Sequence, residues 1–164
     1  MADGDDVIHK ACENFSLHLK YPLTLRPEQC QAVEALLQGR DVLAILPTGY
    51  GKSRIFQVYV AAAALKVKEH QTVLVVCPLG SIIDDQIEEA KGMGMSAASL
   101  SDVTDDELRS VTFELLFAPA EKVINNRFLH IKRWHCTSQK YGGCCCRRMS
   151  YSGNVDRKKV NCEQ

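Results

Sequence analysis

The chain has 164 residues, 46% hydrophobic and 24% charged, which suffices for one globular core and is too little for two. Its 20 Lys and Arg balance its 20 Asp and Glu, so no net field points to nucleic acid or a membrane, yet residues 1–130 carry 12 basic and 18 acidic side chains while residues 131–164 carry 8 and 2. The longest apolar run, Val58–Leu65, falls far short of the roughly 18 residues of a spanning helix, and the acidic start Met1–Asp6 is unlike an export leader. An intracellular place with reduced thiols is therefore expected, and the crowding of Cys136, Cys144, Cys145, Cys146 and Cys162 into the end of the chain is no disulfide framework.

In chain order, Cys30, Val33, Leu36 and Leu37 lie on one face of a helix opened by Pro27 and closed by Gly39. Asp41–Leu46 reads as a short buried strand, followed by a Gly-containing turn and a helix over Ser53–Lys66 with four consecutive alanines. Thr72–Cys77 is a Val-rich strand. Ile82, Ile83, Ile87 and Ala90 share one face of the next helix, which ends near Gly92 or Gly94. A strand over Ser96–Leu100, an acidic helix over Asp105–Ser110 and a strand over Val111–Phe117 complete the alternation, which predicts an α/β, doubly wound, mostly parallel sheet. From residue 135 on neither strand nor helix period survives, so the chain divides into a patterned segment, 1–134, and an irregular tail, 135–164, expected to be disordered or foreign to the domain.

Leu46-Pro47-Thr48-Gly49-Tyr50-Gly51-Lys52-Ser53 sits between a strand and a helix, where phosphate cradling requires it. Gly49 and Gly51 let successive N–H groups turn inward toward phosphate oxygens, and the helix start adds its positive end. Lys52 supplies a mobile charge for the outer phosphates and Ser53 a hydroxyl for magnesium, so ATP with Mg2+ is the expected ligand. The strict phosphate-loop pattern wants Gly at position 46, where this chain has Leu.

With Pro47-Thr48-Gly49 in front, the loop resembles the first motif of superfamily-two (DEAD/DEAH-box type) helicases, and three further stretches resemble the RecQ branch in the right order. Leu25-Arg26-Pro27-Glu28-Gln29 is similar to its motif zero, in which Arg26 and Gln29 would recognise adenine, with Tyr21 the candidate stacking residue. Val75–Gln86, containing Pro78-Leu79-Gly80-Ser81, is similar to motif Ia and would hold a nucleic-acid phosphate at a helix start. Leu116–Val123 resembles motif Ib through Pro119 and Glu121, but Ala118 stands where a Thr is usual and Ala120 is inserted. The resemblance implies the first RecA-like lobe of a 3'-5' DNA helicase, a phosphate-loop NTPase lobe acting on DNA as single strand or junction, with a nuclear address.

Motif II, an apolar strand ending in Asp-Glu-x-His, does not follow Glu121, where the only later carboxylates are Asp156 and Glu163. The lobe therefore reads as incomplete, stopping short of motif II, and binding is expected to outlast turnover, with Asp84 and Asp85 the first substitute carboxylates to test. Two other readings stand beside this one: a non-catalytic regulator or decoy that keeps nucleotide or strand binding, and a small phosphate-loop kinase or transferase, which would need its own magnesium carboxylate and a lid. His130, His135, Cys136 and Cys144–Cys146 are a poor zinc set, because adjacent cysteines diverge. The tail has another explanation in codon degeneracy. Read one nucleotide later, Cys144, Cys145 and Cys146 must each become Val or Ala, and Arg147–Ser150 can become Asp-Glu-Cys-His, which is motif II at its expected place.

Overall fold

The computed structural model describes residues 2–110, 113–124, 133–140 and 143–150. These run α1 (Ala2–His18), α2 (Pro27–Leu37), β1 (Val42–Ile45), α3 (Lys52–Val67), β2 (Val73–Cys77), α4 (Ser81–Gly92), β3 (Ala97–Ser99), α5 (Asp105–Ser110), β4 (Leu115–Pro119), α6 (Ala120–Ile124), β5 (Arg133–Lys140) and β6 (Gly143–Ser150). The strands form one sheet in the order β1-β6-β5-β2-β4-β3. β2 is parallel to β4 and β5, and β4 to β3, while β6 is antiparallel to both β1 and β5. Five strands thus share one direction and only β6 opposes them, so the carboxyl ends of β1, β2 and β4 lie at the same edge.

Strand alternation sorts the core into two layers. Val73, Val75 and Cys77 of β2, with Leu115 and Phe117 of β4, join the large cluster built by α1, α2, α3 and α4. Leu74, Leu116 and Ala118 point to the other face, where Leu100, Val103 and Leu108 cover them. Successive strand residues face opposite ways, so both faces of this α/β sheet are apolar where helices or loops cover them. Phe56 of α3 meets Phe117 edge to face, centroids 6.2 Å apart at 74°, which ties the helix after the loop to the middle of the sheet.

The predicted elements from α2 through β4 are all present, with ends displaced by a few residues. The last of them starts later than expected, at Leu115, and Val111 and Thr112 lie outside the described residues. Three features go beyond the sequence reading. α1 places Val7, Ile8, Ala11, Cys12 and Phe15 in the core, a helical stripe behind the acidic start. α6 is a short turn of helix after β4. The third lies in the stretch expected to be irregular, where residues 133–140 and 143–150 run as β5 and β6 between β1 and β2. Backbone N–H and C=O groups make that ladder, so it needs no side-chain period. Residues 151–164, including Asp156, Cys162 and Glu163, lie outside the described residues, as does His130.

Candidate nucleotide and nucleic-acid site

β1 delivers the chain to Leu46 at the carboxyl edge of the sheet, and α3 starts at Lys52 after one tight turn in which the Tyr50 N–H donates to Pro47 O at 3.2 Å. Gly49 and Gly51 hold φ of +78° and +77°, a region costly for residues with a Cβ. A Cβ on Gly51 would also stand 3.0 Å from Gln29 Nε2. Gly51 caps α3 without a side chain, so the helix start is not closed by a capping hydroxyl or carboxylate.

Lys52 Nζ donates to Leu46 O and Pro47 O, each at 3.0 Å, which folds the side chain back along the turn. An ammonium carries three protons, and carbonyls are weaker acceptors than phosphate, so an incoming anion can take the charge over. Ser53 is half-buried in the first turn of α3, while Pro47, Thr48 and Gly49 are exposed. The residues present fit a polyphosphate, by uncapped helix N–H groups, two left-handed glycines and a lysine. For magnesium the loop offers the Ser53 hydroxyl, and among the described residues no group of three or more His, Cys, Asp or Glu gathers to hold a metal.

The structure brings Arg26 and Gln29 to this loop. Gln29, only 3% exposed, accepts the Arg26 N–H on Oε1 at 2.8 Å and donates from Nε2 to Tyr50 O and Gly51 O, both at 2.9 Å. The Arg26 guanidinium lies 4.0 Å from the centroid of the Tyr50 ring, and the Tyr50 hydroxyl donates to Glu28 Oε2 at 3.0 Å. The ring beneath Arg26 is therefore that of Tyr50, and Tyr21, named from sequence as the stacking residue, stands exposed between α1 and α2. The parts played by the Tyr50 ring and Glu28 were not visible in the sequence, because they arise only when α2 and the loop meet.

Pro78, Leu79, Gly80 and Ser81 leave the end of β2 exposed to solvent. The register pairs Cys77 with Pro119, so Pro119 and the exposed Glu121 stand beside them at the same edge. β5 and β6 separate β2 from β1, which sets this corner three strand spacings, about 14 Å, from the phosphate loop. Glu121 brings a negative charge to the corner, so a phosphate there would be met at the start of α4, beside Gly80 and Ser81, and not at this side chain. A polar link joins the helices behind the two motifs. Arg54, two residues after Lys52, reaches Glu89 of α4 at 3.4 Å and donates to Gln57 Oε1 at 3.0 Å. Gln57 is fully buried, with no partner for Nε2. A lone Gln inside Ile55-Phe56-Gln57-Val58 was the available signal for this link.

Residues 26–141 match the family model described as DEAD/DEAH box helicase. The chain is 37% identical over 112 residues to the ATP-dependent helicase SGS1 of Saccharomyces cerevisiae, covering 68% of this chain and 7% of that protein. It is 31% identical to the ATP-dependent DNA helicase RecQ of Pasteurella multocida, over 69% of this chain and 18% of the relative. To the ATP-dependent DNA helicase Q1 of Rattus norvegicus it is 28% identical, over 70% and 16%. The match thus spans less than a fifth of each of these relatives. By the extent of the family match and the kinship of these relatives, the chain belongs to the DEAD/DEAH box helicase family, on its RecQ-like side.

Proposed function

We propose that this chain binds ATP with magnesium through Pro47–Ser53, reads the adenine with Arg26 and Gln29, and holds a DNA strand at the corner formed by Pro78–Ser81 with Pro119 and Glu121. The observation that carries the reading is the joining of Gln29 and Arg26 to the phosphate loop; Gln29 Nε2 donates to both the Tyr50 and Gly51 carbonyls, so reading the base requires it to exchange one of these bonds for the adenine edge. The patterned segment 1–134 is then an ATP-binding helicase lobe, and its DNA would be a single strand or a duplex junction, with 3'-5' movement in the complete machine. Work on DNA would place it in the compartment that holds DNA, the nucleus of a eukaryote.

Turnover is a separate matter. No Asp-Glu pair follows Glu121 in the sequence to supply the motif II carboxylates, so this chain is read as binding nucleotide without hydrolysing it, the alternative being a regulator or decoy. The tail 135–164 fits the same picture as a motif II strand read out of frame, and transcript codons for residues 147–150 that cannot encode Asp-Glu-Cys-His in the next frame would end that idea. The functional test is equilibrium binding of an ATP analogue with magnesium, run beside phosphate release with and without single-stranded DNA. Saturable binding that prefers adenine to guanine, weakened in Arg26→Ala and Gln29→Ala, with no phosphate release above background, is expected. Absence of saturable binding overturns the nucleotide reading, and DNA-stimulated release lost in Lys52→Ala overturns the absence of turnover.

A further inference from the structure

Tyr50 is the residue of the phosphate loop with the most contacts to spare for something other than phosphate. Its carbonyl accepts from Gln29 Nε2, its hydroxyl donates to Glu28, and its ring carries the Arg26 guanidinium at 4.0 Å, while the glycines on either side hold left-handed φ. The ring is thus fixed through backbone and side chain at once. Arg26 is exposed as a residue, and its guanidinium carbon stands 4.0 Å over the centroid of the Tyr50 ring. A guanidinium stacks on aromatic faces on either side, and a flexible arginine that is already held flat loses less freedom when a base arrives.

We propose that Tyr50 is a specificity-determining positioning residue, which holds Arg26 flat so that the base of a bound nucleoside triphosphate stacks on the open guanidinium face. This rests on the nucleotide-binding reading and adds to it a division of labour inside one loop. Lys52 and the glycines bind the phosphates without regard to the base, and Tyr50, acting through Arg26, adds the affinity that depends on the base. Gln29 reinforces the division, because both its bonds to the loop fall on Tyr50 and Gly51 carbonyls and none on a phosphate-facing N–H.

Competition titrations of ATP and inorganic tripolyphosphate, each with magnesium, test this on the wild type, Tyr50→Leu, Tyr50→Phe, Arg26→Ala, the Tyr50→Leu/Arg26→Ala pair and Lys52→Ala. Tyr50→Leu should weaken ATP roughly fivefold more than it weakens tripolyphosphate, the weight of one exposed cation–π contact, and saturable tripolyphosphate binding shows that the variant is folded. Tyr50→Phe should retain the wild-type ratio, and Tyr50→Leu should have no further effect once Arg26 is Ala. An unchanged ratio of ATP to tripolyphosphate affinity in Tyr50→Leu, or an equal loss in the Arg26→Ala background, overturns the proposal alone. Equal ATP affinity in the wild type and Lys52→Ala overturns the phosphate-loop reading and this proposal with it.

Discussion

Cys77 closes β2 one residue before the exposed Pro78–Ser81 corner, and burial pushes its thiol from the ordinary value of 9.0 up to about 11. Cys12 in α1 is pushed to about 11 as well, by burial and then by the nearby Cys30. A thiol whose folded value lies above its unfolded one favours the protonated fold, so this contribution is fully present below pH 9.0 and is lost as pH rises toward about 11. The thiolate is the nucleophile, so at pH 8 both side chains should resist an alkylating reagent in the native protein and react when it is unfolded. Peptide mass mapping after a short alkylation pulse checks this, and rapid native modification of Cys77 would show that β2 opens at its carboxyl end. Neither buried thiol suits a redox sensor. The same scale explains what the sequence revealed of the site. Gly49, Gly51, Lys52 and Ser53 lie within five residues, so their chemistry is local and legible, whereas Gln29 and Tyr50 meet 21 residues apart and Arg26 finds a ring that only the folded loop presents to it.

Among the elements, β1 has an unbalanced surface. Val42 and Ala44 pack on the main core, while Leu43 and Ile45 on the opposite face are 70% and 78% exposed. Among the described residues, the second core layer, Leu74 with Leu100, Val103 and Leu108, covers β2 and β4 and does not extend to β1. Adjacent exposed apolar side chains on a strand invite association. Leu43→Thr with Ile45→Thr should therefore raise the soluble fraction on expression and leave ATP-analogue affinity unchanged, as read by sedimentation and titration. A loss of affinity would mean that this face shapes the loop. Element prediction from sequence succeeded where side chains carry a period, as in α2, α4, β2 and β4. It passed over α1, whose Val7, Ile8, Ala11, Cys12 and Phe15 stripe follows an acidic start, and β5 and β6, whose ladder is written in backbone groups rather than in alternation.

At the scale of the whole molecule, the parallel sheet gathers the ends of β1, β2 and β4 at one edge, and both candidate binding segments hang from that edge. This is why a fold class legible from the alternation of strands and helices already limits where ligands can sit. The two segments are kept apart by β5 and β6, and behind them the Arg54–Glu89 ion pair links α3 to α4. The proposed nucleotide binding depends on the loop Pro47–Ser53, and within it on Lys52 as the proposed mobile charge for the outer phosphates. Calorimetric titration of a magnesium ATP analogue into the wild type and Lys52→Ala tests that directly. A loss of about 1.5–3 kcal/mol, the weight of a hydrogen bond to a charged group, is expected in Lys52→Ala, and equal affinities in the two proteins would contradict phosphate binding by this loop.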